Sequence, residues 1–203
     1  MGVWLDLPTT TEQVKAALRQ IGISSDNPQG LFISGYFAEE EKRFAIPYNM
    51  ILASSVDELN FLAARLETLS AGERAELNAA LQAPQSELSS IGRITDFPEN
   101  VDYYVHLPDV HGPAQLGDYY LNRSGMVDMP DEWKGGIDTA QFGRYVAQQE
   151  QGAFTQYGYL VKSGDEWQKV HEGSACAGGI PGTVLSCAGS HAGCSQYPAA
   201  CST

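Results

Sequence analysis

Carboxylates are the main groups in this sequence that could do chemistry, and their spacing decides which chemistry they suit. The 25 aspartates and glutamates outnumber the 12 lysines and arginines, which gives a formal net charge of −13. Residues 44–122 hold eleven acids and only three bases. A catalytic pair or a metal site needs acids that converge on one pocket, whereas single acids spaced along helices are expected to point outward. The eleven acids are Asp57, Glu58, Glu67, Glu73, Glu76, Glu87, Asp96, Glu99, Asp102, Asp109 and Asp118.

The spacing of these acids suggests binding to a basic surface. Glu73 and Glu76, three residues apart, are expected about 5–6 Å apart on one helix face, on the order of neighbouring phosphates in a DNA strand. Proteins bind DNA through rows of lysine and arginine, and a row of carboxylates could occupy the same side chains. For each acid alone, an ordinary solvated carboxylate is an equally good interpretation. A chain this acidic is not expected to bind nucleic acid or anionic membranes directly.

The histidines and cysteines give weaker signals. His106 and His111 flank Asp109, but Pro108 breaks any helix that could align them, so we expect no metal site there. The four cysteines contain no C-x-x-C pair and lie at Cys176, Cys187, Cys194 and Cys201. No phosphate-binding loop, nucleophile elbow or zinc-protease motif occurs. We therefore predict no catalytic residue, metal or cofactor, and a protein that is not an enzyme.

Local signals in the first half predict a small sheet with one helix, followed by a helical segment. Strands are expected at 3–7, 31–37 and 43–46, with a turn at 26–30. A capping box formed by Thr9 and Glu12 opens a helix that Gly22 should end. The next helix starts are expected at the boxes Ser55–Glu58 and Ser70–Glu73, and at Ser86.

The second half is predicted to be mixed, and the chain as a whole to be α+β. Strands are expected at 101–107 and 154–161, and helices at 115–123, ended by Gly125, and at 137–147. We divide the chain into an N-terminal α+β lobe (1–53), a helical lobe (54–93), a C-terminal α+β lobe (94–163) and a tail (164–203). Residues 173–203 lack Asp, Glu, Lys and Arg, and we expect them to be disordered and dispensable.

Apolar side chains in the third lobe are more numerous than one short sheet can easily cover. They predict a homodimer interface, although they could equally form the core of the lobe itself. The residues are Trp133, Ile137, Phe142, Tyr145 and Val146.

The sequence contains no apolar run long enough for a membrane span and does not start like a signal peptide, so a cytoplasmic location is expected.

Three stretches together resemble the ArdA antirestriction family over residues 2–161. The first is GVWLDLP at 2–8, with the helix and the strand that are predicted to follow it. The second is SVDELN at 55–60, leading into an apolar helical face. The third is LGDYY at 116–120, followed by IDTAQFGR at 137–144 and by Gly158-Tyr159. The family usually has an acid where this chain has Gly35 and another strand before the first stretch, and the cysteine-rich tail is foreign to its pattern.

The resemblance implies an elongated three-lobed dimer, encoded by mobile elements such as conjugative transposons. Such proteins imitate bent B-form DNA and block type I restriction-modification enzymes. On this interpretation the eleven acids are the partner-binding residues. Two alternatives stay open at this point. One is a regulatory or adaptor protein of a mobile element that binds another protein partner, and a weaker one is a carboxylate-based hydrolase.

Overall fold

The computed structural model describes residues 2–24, 31–39, 43–84 and 86–170. It combines helices with a three-stranded antiparallel sheet, which confirms the α+β class. The helices are α1 (Thr11–Gln20), α2 (Tyr48–Leu52), α3 (Val56–Glu67), α4 (Ala71–Gln82), α5 (Ile91–Thr95), α6 (Pro113–Asp118), α7 (Asp131–Lys134) and α8 (Thr139–Glu150). The strands are β1 (Tyr104–Leu107), β2 (Ala153–Thr155) and β3 (Gly158–Lys162). The sequence analysis did not predict α2 or α7.

The chain divides into two compact units. The first unit comprises Met1–Leu69, Leu88–Glu99 and Gln168–Thr203, and the second comprises Ser70–Glu87 and Asn100–Trp167. Helix α3 belongs to the first unit and α4 to the second. The division into lobes at residues 53, 93 and 163 stays a prediction. The predictions for the turn at 26–30 and for the tail beyond residue 172 fall outside the described residues.

Helix α1 forms where the sequence predicts it, with its start shifted by one residue. The N-cap is Thr10 rather than Thr9, and Gln13 rather than Glu12 completes the capping box. Gly22 follows the helix with a φ of 79°, as expected of a glycine that ends a helix. Val14 and Leu18 face inward and form a small apolar cluster with partly buried neighbours. Those neighbours are Leu5, Ile21, Ile23, Leu31 and Val56.

The predicted strands at 3–7, 31–37 and 43–46 are wrong. Residues 2–8, 31–39 and 43–47 run without strand pairing in the described part of the first unit. Residues 31–36 do alternate between partly buried and exposed side chains, with Phe32 79% exposed. Alternation alone does not make a strand, because a strand is stable only when its backbone groups pair with a neighbour. The 31–37 segment instead contacts α2, since Tyr48 Oη donates to the Ser34 carbonyl at 3.2 Å.

Capping boxes explain the starts of α3 and α4, as predicted. Ser55 caps α3 with Glu58, and Ser70 caps α4 with Glu73. The prediction that Ser86 opens the next helix is wrong, because Ser90 is the N-cap of α5. Ser90 Oγ accepts a hydrogen bond from the backbone N–H of Arg93 at 3.3 Å.

The sheet of the second unit has the order β1-β3-β2, with both pairs antiparallel. The single strand predicted at 154–161 is a hairpin instead, in which β2 turns back into β3 and Phe154 pairs with Tyr159. The strand predicted at 101–107 begins with a 3₁₀ turn (Val101–Tyr103) and becomes β1 only at Tyr104.

Helices α6 and α8 pack against each other through two glycines. A Cβ on Gly117 would overlap the Thr139 carbonyl, and one on Gly143 would overlap the Pro113 carbonyl. The two backbones therefore approach more closely than any side chain would allow. A π-helical turn (Tyr119–Arg123) continues α6, and Gly125 follows with a φ of 70°, as predicted for a helix stop.

Candidate partner-binding surface

Three of the predicted partner-binding acids in the first unit lie at the surface. Glu67 is the last residue of α3 and is exposed. The Glu99 side chain is about one-third exposed (34%) and forms an ion pair with Arg65. Glu58 is half-buried, and its carboxylate accepts hydrogen bonds from the Ser55 backbone N–H at 2.8 Å and from Ser55 Oγ at 3.0 Å. Of the three, Glu67 alone forms no hydrogen bond or ion pair within the described part of the chain, so it is the most available to a partner.

The expectation that all eleven acids point outward is wrong at Asp57 and Asp96, which are each 1% exposed. Asp57 lies three residues before Asn60, which is also 1% exposed, so the helical period places both on the inner face of α3. Asp96 follows α5 in a run of buried residues that includes Ile94 and Phe97. Both aspartates interact with groups inside the chain. A carboxylate in this position supports the fold and cannot meet a partner without rearrangement.

Two acids of the second unit are held by other side chains. Glu87 accepts from Lys162 Nζ at 2.9 Å, and this bond raises the pKa of the Lys162 ammonium. Asp118 pairs with Arg123 at 3.1 Å and accepts from the amide of Asn122 at 2.9 Å. These contacts neutralise part of the negative charge that a cationic partner would meet.

Glu73 is also engaged within the chain. Its carboxylate accepts from the Ser70 backbone N–H at 2.7 Å. Hydrogen bonding to Ser70 holds the pKa of Glu73 below its ordinary value. Glu73 therefore stays charged while it caps α4, next to the positive end of the helix dipole.

Asp102 and Asp109 are the most available of the predicted acids in the second unit. Both are exposed, and neither forms a hydrogen bond or an ion pair within the described residues. Asp102 lies in the 3₁₀ turn before β1, and Asp109 lies in the loop between β1 and α6. Together with Glu67, they are the members of the predicted set that a partner could bind without breaking a hydrogen bond or an ion pair within the described residues.

Glu76 differs from all the other predicted acids. It is partly buried on α4, and its Oε1 atom is shielded from solvent without a hydrogen-bond partner among the described residues. Burial, reinforced by the charges of Glu73 and Asp102, raises its pKa to about 8. Glu76 is therefore mostly protonated at neutral pH, and the charge of the second unit is correspondingly less negative than its formal value.

The residues predicted to form a dimer interface fall into two groups. Trp133 and Tyr145 are 68% and 60% exposed. Ile137, Phe142 and Val146 are partly buried. Val146 packs against the core cluster of Val110, Leu116 and Tyr159. This contact agrees with the alternative that the residue belongs to the core of the lobe itself. The exposed tryptophan and tyrosine remain without an explanation from the fold of the single chain.

Two histidines, His106 and His111, lie in the described part of the second unit. His106, on β1, makes a 2.7 Å hydrogen bond between its Nε2 and the Tyr157 carbonyl. The backbone N–H of His111 donates to Gln115 Oε1 at 2.7 Å. The described residues contain no group of three or more His, Cys, Asp and Glu that could hold a metal ion. The four cysteines lie outside the described residues.

Two structural contacts were missed from the sequence. Asn60 pins the N-terminal segment to α3, since its Oδ1 accepts from the Thr9 backbone N–H at 2.6 Å and its amide donates to the Thr9 carbonyl at 3.0 Å. Glu150 joins two tyrosines, with Tyr120 Oη donating at 2.6 Å and Tyr159 Oη at 3.0 Å. Burial, then the nearby Glu150, raises the pKa of both tyrosines. The sequence does contain a signal for the contact of Asn60, because this polar residue ends the helical motif SVDELN at 55–60.

Comparison with known families places the chain in a class, the antirestriction proteins. A family model described as antirestriction protein (ArdA) matches residues 1–161, and the chain therefore belongs to the ArdA family. The match confirms the resemblance seen over residues 2–161 and implies an interaction with restriction enzymes. A comparison with curated proteins finds no match. Among the described residues, no helix combines the length and apolar character needed to cross a membrane.

The structure gives a physical reason for two parts of the third resembling stretch. LGDYY at 116–120 contains Gly117, and IDTAQFGR at 137–144 contains Gly143. These are the two glycines at the contact between α6 and α8. These parts of the resemblance therefore reflect the packing of the second unit.

Proposed function

We propose that this chain is an acidic mimic of B-form DNA that binds and inhibits type I restriction-modification enzymes. Membership of the ArdA family supplies the antirestriction activity. The proposed mode of action adds that carboxylates take the place of DNA phosphates in the enzyme's basic groove. The chain would then act in the cytoplasm, where such enzymes meet incoming DNA.

The observation that carries the proposal is the distribution of the surface acids. Glu67 is exposed in the first unit, and Asp102 and Asp109 are exposed in the second. Glu58, Glu73, Glu87, Glu99 and Asp118 add partly accessible carboxylates, each engaged at present by a cap or an ion pair. Single acids at separate positions suit a row of lysines and arginines better than they suit one catalytic pocket.

A competition experiment tests the proposal directly. A purified type I enzyme should retain the chain in a pull-down, and duplex DNA that contains the enzyme's recognition site should displace it. The chain itself should not shift duplex DNA at physiological salt, because its net charge is −13. If the enzyme retained the chain and duplex DNA could not displace it, the alternative of an adaptor that binds elsewhere on its partner would be favoured. Micromolar binding of the chain to DNA would contradict mimicry.

Salt and substitution separate a mimic from an enzyme. Affinity for the restriction enzyme should fall with salt, as DNA binding does, although less steeply because a folded protein condenses fewer counterions. Single neutralisations should be nearly silent, since exposed charge pairs contribute about 0–1 kcal/mol each. If one substitution abolished the activity while the others did nothing, a catalytic carboxylate would be the better explanation.

We also propose that the chain forms a homodimer through the surface that contains Trp133 and Tyr145. Large aromatic side chains that are mostly exposed on a single chain are typical of interface residues. The double variant Trp133→Ala, Tyr145→Ala should convert the dimer to a monomer in light scattering at micromolar concentration. A wild-type chain that is already monomeric under those conditions would contradict the dimer.

A further inference from the structure

Glu76 is unusual among the predicted partner-binding acids, because the charged side chains that influence its carboxyl group are also negative. It lies on α4, which packs against β1 and β3. Glu73 lies one turn before it on the same helix, and Asp102 lies in the turn before β1. The Oε1 atom of Glu76 is covered by protein and accepts no hydrogen bond within the described residues.

These elements carry other titratable and charged groups. They are Arg74 on α4, Tyr103 beside Asp102, Tyr104 and His106 on β1, and Tyr159 and Lys162 on β3. The Lys162 ammonium is bound to Glu87 at 2.9 Å, and His106 Nε2 lies 2.7 Å from the Tyr157 carbonyl. The charges that act on Glu76 are those of Glu73 and Asp102.

We propose that Glu76 is a proton-linked element of the binding surface: it carries a proton in the free chain and releases it to solvent when a cationic protein surface covers Glu73, Glu76 and Asp102. This inference rests on the proposed function, because it takes the partner's surface to be rich in lysine and arginine. In the free chain, burial and the two neighbouring acids raise the pKa of Glu76 to about 8. A cation placed beside the same group would favour the charged carboxylate and reverse that effect.

The linkage has a definite sign. The bound state prefers the deprotonated form of Glu76. Below pH 8 the removal of its proton therefore reduces the favourable net free energy of binding. Affinity should therefore rise with pH up to about pH 8 and then level off. The limiting slope is about tenfold in affinity per pH unit. At pH 7 binding should release close to one proton per chain.

The first arm of the test uses the full chain alone. Its glutamate carboxyl carbons are followed by NMR from pH 5 to pH 10, and Glu76 is assigned by its absence from the Glu76→Gln variant. We expect a midpoint near pH 8. A midpoint below about pH 6 would overturn the inference whatever the partner proves to be.

The second arm measures binding to a purified type I enzyme by calorimetry at pH 7, in two buffers with different ionisation enthalpies. Wild type should release close to one proton more than Glu76→Gln does, whereas Asp128→Asn, an exposed acid outside the predicted set, should match wild type. Equal proton release by wild type and Glu76→Gln would overturn the linkage while leaving DNA mimicry intact. Absence of binding by all three proteins would instead contradict the proposed function, and the linkage with it.

Discussion

Residues 1–53 and residues 94–163 of this chain were both predicted to form α+β lobes, and their described parts do not fold alike. The second region pairs three strands and packs α6 on α8 through glycines. The first region has two helices and no paired strand among its described residues. Asn60 of α3 binds both backbone groups of Thr9 in this region, and Val56 of α3 packs against its apolar cluster. The contrast shows that a strand-like sequence becomes a strand only where the chain supplies a partner strand.

The largest expected effect concerns the packing of the second region. Gly117→Val should destabilise the protein by about 3 kcal/mol or more, because the new side chain must push the α8 backbone away. Denaturant unfolding followed by circular dichroism measures the loss. Gly72→Ala is the matched control, since nothing lies within 4 Å of a Cβ there, and in a helix it should be neutral or slightly stabilising. Equal losses for the two variants would mean that the glycine contact does not hold this region together.

An intermediate effect is expected from the asparagine in the first region. Asn60→Ala removes two buried hydrogen bonds and leaves the backbone of Thr9 unsatisfied, which should cost about 1–3 kcal/mol. Amide hydrogen exchange at Thr9 should report local release of the N-terminal segment before global unfolding. Asn122→Ala, which removes an exposed bond to Asp118, serves as the control and should change stability by less than about 0.5 kcal/mol. Stability unchanged by Asn60→Ala would show that other contacts hold the segment.

A smaller and pH-dependent effect is expected at Glu76. Its pKa is raised in the folded chain, so the stabilisation linked to its proton is fully present below its unfolded value of 4.5 and is lost as the pH rises to about 8. Glu76→Gln has no such loss and should be the more stable protein at pH 8.5, by about 1 kcal/mol once solvent screening of this partly exposed group is allowed for. Melting temperatures at pH 5, 7 and 8.5 test this, and a constant difference between the two proteins would contradict it.

The smallest expected effect is at an exposed aromatic residue of the first region. Phe32→Ser should change stability by less than about 0.5 kcal/mol, because Phe32 is 79% exposed and lies in no paired strand. Phe154→Ser in β2 should cost about 1–2 kcal/mol, since its ring packs 4.9 Å from that of Tyr159. If Phe32→Ser were as costly as Phe154→Ser, residues 31–37 would pack in solution as the sequence first suggested.

Signals confined to a few neighbouring residues were sufficient to predict several helix boundaries. The boxes at Ser55 and Ser70 and the stops at Gly22 and Gly125 are properties of single turns, and all four are present in the structure. The strands depend on distant pairing, as between Tyr104 and Lys162, and their bounds were predicted poorly or wrongly.

The candidate surface was predictable only as a set of residue types. Charge and spacing identified Glu67, Asp102 and Asp109, which are exposed, but the same argument also selected Asp57 and Asp96, which are buried. Burial depends on what packs against a helix face, and an acid-rich sequence does not disclose that. The protonation of Glu76 likewise depends on Asp102, which is remote from it in sequence and acts on it only in the folded chain.

The most direct test of the account compares two triple variants with the same change of net charge. Glu67→Gln, Asp102→Asn and Asp109→Asn together should weaken binding to a type I enzyme by about tenfold to a hundredfold, since each exposed acid contributes up to about 1 kcal/mol. Asp6→Asn, Asp128→Asn and Glu166→Gln, all exposed acids outside the predicted set, should change the dissociation constant by less than about threefold. If the two triple variants weakened binding equally, the interaction would depend on net charge and not on the positions of the acids. If the first triple variant bound as tightly as wild type, carboxylate mimicry of DNA would be contradicted.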